Sequence, residues 1–390
     1  MFRFRFLAPL LICSTFLASC GGGSGTDSAS TESMSGAAQL GRLIFEDPYL
    51  SASNTMSCAT CHDASIGHAW PDANAAVASG GPGLNVKGLR TPPAINYLKF
   101  NGAFKFDMDG TPRGGFFWDG RVNTLAEQAK GPFLGPAEMA NTDASAVIAK
   151  LRNRDYAEQF KQVFGANIFN DPNAAFERVA YALERYQIED KDFAPFNSKF
   201  DAVNQGKEAF TPEELRGLVL FNRADKGNCA ACHPSTKPDN APAALFTDFS
   251  YDSLGVPRNL DIPNNAVATY YDKGLCGPER QDLATRTDLC GAFKVPSLRN
   301  VAKRKRFFHN GKFTTLEEVV DFYVTRDTDS TRWYKNILGL FDFLYNDLPS
   351  DERQNVNVTE GPYNRSGQEP ALSVDERRDL IAFLKTLSDR

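Results

Sequence analysis

The sequence predicts a mainly α protein built from two related units. Apolar residues recur at helical spacing in several long segments, while sustained alternation is scarce. A C-x-x-C-H pentapeptide also occurs twice, about 170 residues apart, each time behind similar apolar text. At 390 residues the chain exceeds what one hydrophobic core usually covers. A 42% hydrophobic share with 30 Phe, 12 Tyr and 3 Trp is ample core material and excludes a disordered chain. The net charge of −5 lacks the basic excess of a nucleic-acid binder, so no nucleic-acid partner is expected.

The chain opens on an export signal. Arg3 and Arg5 precede an apolar run, Phe6 to Phe16, too short to span a bilayer. The run ends in Leu17-Ala18-Ser19-Cys20, which resembles the bacterial lipobox. Residues 1–19 therefore read as a lipoprotein-type signal peptide, with Cys20 the lipidated first mature residue. A plain secretory peptide cleaved nearby is the alternative. Residues 20–36 are dominated by Gly, Ser and Thr and read as a flexible tether. The expected location is the periplasm or cell surface, anchored to the outer membrane only through the N-terminal lipid.

Two units follow, 37–203 and 204–390. Leu40-Gly41-Arg42-Leu43-Ile44-Phe45 precedes the first pentapeptide, and Leu215-Arg216-Gly217-Leu218-Val219-Leu220-Phe221 precedes the second. Each reads as a short helix leading into a binding loop. Asp143–Phe164, Asn173–Tyr186 and Asp375–Leu387 also have helical periodicity. Asn204-Gln205-Gly206 breaks the pattern, and Thr211-Pro212-Glu213-Glu214 starts a new helix.

Cysteine use is specific. Cys58-Ala59-Thr60-Cys61-His62 and Cys229-Ala230-Ala231-Cys232-His233 are attachment motifs for c-type haem. Two thioether bonds fix the macrocycle, and the adjacent histidine is the proximal iron ligand. A zinc site is the alternative use of such residues. Two intact copies in an exported chain favour two covalent haems, one in each cytochrome c-like domain. Cys276 and Cys290 remain, close in sequence in an oxidising compartment, where a disulfide is expected.

The other face of each iron is the next question. Beyond the two proximal histidines the chain has only His68 and His309, and no methionine follows Met139. A His/Met pair is thus hard to build in the second unit. Tyr323 is a candidate there. Thr314 and Glu317 suggest a capping box, after which Leu316, Val319, Val320 and Tyr323 share one helix face. Periodicity alone favours a core tyrosine.

Phe293-Lys294-Val295-Pro296-Ser297-Leu298-Arg299-Asn300, Phe308-His309-Asn310-Gly311 and Leu316-Glu317-Glu318-Val319-Val320 resemble the second domain of bacterial dihaem cytochrome c peroxidases. Phe117-Trp118-Asp119-Gly120-Arg121, Glu127-Gln128-Ala129, Pro132 and Pro136-Ala137-Glu138-Met139 resemble the first. Tyr323 stands where those peroxidases place a methionine ligand, as in the MauG-like branch, where a tyrosine ligates the second haem. A phenolate oxygen is a harder donor than a thioether and favours ferric and higher-valent iron.

The resemblance implies a hydrogen-peroxide-dependent oxidoreductase. Glu138 would be the acid–base at an open first haem, Gln128 and Pro132 would shape its distal pocket, and Trp118 would relay electrons between haems. His68 falls near the segment that in the peroxidases carries a removable distal histidine, but only six residues beyond His62. It is kept as a possible ligand, with a supporting or surface role as the alternative. Calcium between the domains is also implied, yet Arg90 and Lys303-Arg304-Lys305-Arg306 put cations at its place, which makes it doubtful. The basic run could instead pair with haem propionates. The partner would be a protein oxidised on Trp or Tyr side chains, or a small cytochrome or copper protein feeding a detoxifying peroxidase. A plain dihaem electron carrier is the non-enzymatic reading.

Overall fold

The computed structural model describes residues 33–336 and 338–390; the signal segment, Cys20 and most of the tether lie outside them. The described residues form eleven α-helices. Six belong to the first half: α1 (Gly36–Glu46), α2 (Cys58–Cys61), α3 (Leu125–Leu134), α4 (Ala144–Leu151), α5 (Ala157–Phe164) and α6 (Pro172–Glu189). Five follow: α7 (Lys199–Asn204), α8 (Pro212–Asn222), α9 (Leu316–Thr325), α10 (Ser330–Trp333) and α11 (Val374–Lys385). Strand structure is confined to three short antiparallel pairs. These are β1 (Ser79–Gly80) with β2 (Val86–Lys87), β3 (Lys105–Phe106) with β4 (Pro112–Arg113), and β5 (Tyr251–Asp252) with β6 (Phe293–Lys294). In the last pair Tyr251 faces Lys294 and Asp252 faces Phe293.

Two hydrophobic cores sit side by side. In the first, Leu40, Ile44 and Phe45 of α1 pack with residues of α4, α5 and α6. In the second, Leu220 and Phe221 of α8 pack with residues of α9 and α11. The cores change over between Phe193 and Phe200. Phe200 lies ahead of the expected 203/204 division, yet its ring meets Phe246 at 4.9 Å and Phe383 at 6.1 Å.

The repeated text leading into each pentapeptide has a packing reason. On α1, a Cβ at Gly41 would come within 2.0 Å of the Ala182 carbonyl oxygen on α6. On α8, a Cβ at Gly217 would come equally close to the Asp379 carbonyl oxygen on α11. In both lobes the leading helix crosses the closing helix at a bare backbone.

Two helices differ from expectation. The 143–164 segment is broken between α4 and α5, because Arg154 Nε and the Tyr156 hydroxyl turn aside to donate to Asp47, at 2.7 and 2.6 Å. The box that opens α9 is Thr315 with Glu318 rather than Thr314 with Glu317. The Glu318 carboxylate accepts the N–H of both threonines, at 2.9 and 3.2 Å, so one side chain satisfies two orphan donors.

Candidate haem and redox sites

The two pentapeptides fold alike. His62 N–H donates to the Cys58 carbonyl at 3.0 Å, and His233 N–H to the Cys229 carbonyl at 2.9 Å. His62 Nδ1 lies 3.3 Å from the carbonyl oxygen of His68, and His233 Nδ1 lies 2.8 Å from that of Phe246. A carbonyl can only accept, so each ring carries its proton on Nδ1 and keeps the Nε2 lone pair free for a metal. Burial pushes both imidazoles down to about 4, which keeps them neutral near pH 7. Burial also pushes all four motif thiols up to about 12. Among the described residues, no cluster with metal-ligand spacing contains either motif histidine.

His68 belongs to this proximal scaffold. Its carbonyl accepts both from His62 and from Ile95 N–H, as the Phe246 carbonyl accepts from His233 and from Leu298 N–H. Both holders have left-handed backbones, φ 51° at His68 and 53° at Phe246. The His68 ring is 2% exposed and stacks on Phe193 at 4.0 Å. The His68 carbonyl therefore lies against the Nδ1 edge of His62.

The opposite faces are built by a second repeat. Phe116-Phe117-Trp118-Asp119-Gly120-Arg121 and Phe307-Phe308-His309-Asn310-Gly311-Lys312 form the same turn, closed by bridges Phe116–Val122 and Phe307–Phe313. Each turn leads into a helix with a Thr/Glu box, Thr124 with Glu127 on α3 and Thr315 with Glu318 on α9. In this register Pro132 of α3 corresponds to Tyr323 of α9. Proline has no side-chain donor atom, whereas Tyr323 is half-buried and lines the same cavity as His233, Cys229 and Cys232. The first site is thus without an internal ligand at the position where the second has a phenol.

Glu138 follows α3 in a turn fixed by its N–H to the Gly135 carbonyl at 2.9 Å and by Gly81 N–H to its own carbonyl at 3.0 Å. Its negative charge raises the proton affinity of Cys61 and Cys58, which places the carboxyl beside the first pentapeptide. Burial pushes the Glu138 carboxyl up to about 6, opposed by the nearby Arg121 cation and reinforced by Glu279. Such a group can take and return a proton near neutral pH. Gln128 and Pro132 are half-buried on α3. Arg121 is held on Asp119 at 2.9 Å and lies over the Phe117 ring at 3.7 Å.

The cavity beside His233, about 190 Å³ and mostly apolar, carries cations that no carboxylate among the described residues pairs with. Arg304 and Arg306 line it, and the Nε atom of each is buried without a hydrogen bond. Lys294 also lines it, its Nζ donating to the Gly115 carbonyl at 2.6 Å, and burial pushes its ammonium down to about 7. Buried cationic donors require an anionic partner. The two carboxylates of a haem supply one, so the residues present fit the group. Within the basic run, Arg304 and Arg306 turn inward, Lys303 donates to the Asp389 carbonyl, and Lys305 is exposed.

Trp118 lines the same cavity as His233 and Tyr323. Its indole N–H donates to the Thr91 carbonyl at 2.8 Å, and Thr91 N–H donates to the His309 carbonyl at 2.7 Å. His309 occupies the position in the second repeat that Trp118 has in the first, and its ring stacks on Phe293 at 3.5 Å. The neighbouring Arg90 is buried between two carboxylates, Asp119 at 2.7 Å and Asp272 at 2.6 Å. A guanidinium thus supplies the positive charge that both carboxylates need.

Cys276 and Cys290 are disulfide-bonded, away from both pentapeptides, with Cα atoms 5.0 Å apart. Sequence reasoning gave no role to Lys294 or Phe246 and did not align the two halves of the second repeat. The repeat was readable as F-F-W-D-G-R against F-F-H-N-G-K; the carbonyl holders carried no side-chain signal.

Comparison with known proteins agrees with this geometry. Residues 35–209 match the family described as di-haem cytochrome c peroxidase. The methylamine utilization protein MauG of Paracoccus denitrificans is 39% identical over 399 residues, spanning all of this chain and 96% of that protein. The cytochrome c551 peroxidase of Nitrosomonas europaea is 33% identical, over 73% of this chain and 71% of that one. The crystal structure of the diheme peroxidase BthA from Burkholderia thailandensis superposes with a TM-score of 0.82 at 38% identity, covering 90% of this chain and 86% of that one. These relatives are enzymes, which sets aside a plain electron carrier. With two matched histidine scaffolds and an acidic residue beside the first, the chain belongs to the dihaem cytochrome c peroxidase and MauG family.

Proposed function

We propose that the chain is a hydrogen-peroxide-dependent oxidoreductase of the MauG-like branch, which oxidises an external protein donor. Cys58 and Cys61 would bind one haem covalently, with His62 as its proximal ligand. Cys229 and Cys232 would bind the other, with His233 and Tyr323 as ligands. The haems supply the redox chemistry; the chain positions peroxide, moves its protons and sets which centre it reaches. Glu138 accepts a proton from the near oxygen of peroxide and delivers it to the far one, so that water leaves. Gln128 and Pro132 bound that space, and Trp118 lies between the two sites as the relay.

The observation that supports this reading is the exchange of Pro132 for Tyr323 at one position of a duplicated helix. It would leave one centre accessible to a small oxidant and give the other a hard oxygen donor. Donors of the partner-protein kind, oxidised on Trp or Tyr, agree with similarity to MauG over the whole chain. A detoxifying peroxidase fed by a small cytochrome or copper protein is the second reading, supported by likeness to the Nitrosomonas enzyme. An N-terminal lipid at Cys20 would hold the enzyme at the periplasmic or outer surface; among the described residues no helix is long and apolar enough to cross a membrane. Low-temperature EPR of the oxidised protein tests the central assignment. One high-spin and one low-spin ferric signal are expected, and two low-spin signals would refute it.

A further inference from the structure

Beside Tyr323 lies a chain of phenols that the chemistry above does not use. Tyr363, buried in the same cavity wall, stacks on Tyr323 with ring centres 6.4 Å apart at 28°. Arg326, 1% exposed, lays its guanidinium 4.3 Å from the ring centre of Tyr363 and 5.4 Å from that of Tyr345. Tyr345 is half-buried and directly follows the exposed Leu344. Each phenol has its own carboxylate. The Tyr363 hydroxyl donates to Asp252 at 3.0 Å, and the Tyr345 hydroxyl to Asp327 at 3.2 Å. Tyr334, fully buried beside Tyr345, instead donates to the carbonyl of Gly255.

These pairings matter for oxidation. A guanidinium beside a ring makes positive charge on that ring costly. An electron can leave either phenol only if the proton leaves with it, and a hydrogen-bonded carboxylate is the acceptor that allows this. Packing alone accounts for the burial of Tyr363, but not for a carboxylate at both hydroxyls.

We propose that Tyr363 and Tyr345 form a relay that carries one-electron oxidising equivalents from the Tyr323 side of the second site to the surface, where an external donor quenches them. The relay rests on the peroxide-dependent reading above. Hydrogen peroxide accepts two electrons and two protons and leaves as two waters, so each peroxide drives two passages. In one passage Tyr363 gives an electron to the oxidised second centre and its proton to Asp252, becoming a neutral phenoxyl radical. An electron from Tyr345 restores it as the proton returns. Tyr345, its own proton passed to Asp327, is restored by one electron from the donor.

The test treats the haem-loaded protein with hydrogen peroxide, without donor, in the presence of a nitroso spin trap. Adducts are then located by peptide mass spectrometry, while haem absorbance is followed in parallel. Adducts are expected on Tyr345 in the wild type, lost in Tyr363→Phe and in Asp252→Asn, while Tyr345→Phe retains them on Tyr363. Two variants guard against a folding defect in either, and haem content and thermal midpoint identify one. Undiminished Tyr345 adducts in both variants, or no tyrosine adducts although the haems respond to peroxide, would overturn the relay alone. Haem absorbance indifferent to peroxide would overturn the function reading and the relay with it.

Discussion

Glu138 joins a raised proton affinity to a place beside the first haem motif. Because the carboxylate form must accept the first proton of peroxide, the reaction should quicken as pH rises through about 6 and level off above. Glu138→Gln should abolish that step and slow the reaction about a hundredfold or more. Stopped-flow absorbance against pH reads both. His68 supports a complementary prediction: its ring fills core space and its Nδ1 is buried without a partner. His68→Phe, which copies the residue that holds His233, should leave the EPR spectrum unchanged and the protein at least as stable, since an unsatisfied buried polar atom costs about 1–3 kcal/mol. Loss of either ferric signal in that variant would restore His68 as a ligand.

At the scale of elements, the contacts of α1 with α6 and of α8 with α11 depend on one missing methyl group each. Gly41→Ala or Gly217→Ala should destabilise the fold by about 1–3 kcal/mol, measured by urea denaturation, because neighbouring backbone cannot yield as a side chain can. Here the sequence was informative: Leu40-Gly41 and Arg216-Gly217 sit in matching text, and the Thr211 box opens α8 where expected. Other features were hidden for physical reasons. Thr314/Glu317 and Thr315/Glu318 both satisfy the capping pattern, and only the carboxylate's reach selects the second. Periodicity runs unbroken from 143 to 164, because the pull of Asp47 on Arg154 and Tyr156 comes from a residue distant in sequence. The carbonyl contact of His68 with His62 was hidden because left-handed backbone at a non-glycine residue leaves no mark in a sequence pattern.

Across the whole molecule, Arg90 is a buried cation that pairs with carboxylates from both halves. Its partners Asp119 and Asp272 are almost wholly buried. Arg90→Ala would leave the buried Asp272 carboxylate without its cation while Asp119 keeps Arg121, and breaking such a pair costs about 3–5 kcal/mol. The thermal midpoint should fall accordingly, whereas dialysis against a calcium chelator should leave wild-type midpoint and haem spectra unchanged. A marked drop on chelation would show that a divalent ion, not the guanidinium, does this work.

The backbone of Thr91 has a further consequence. Its carbonyl oxygen steadies an indole of one half and its N–H grips the backbone of the other, so a single residue, with one φ and one ψ between the two groups, gauges the gap that electrons must cross. Substituting the threonine side chain leaves that gauge intact; inserting or deleting one residue in the loop before it would not. Loop length, more than side-chain identity, should therefore govern how fast the two centres exchange charge.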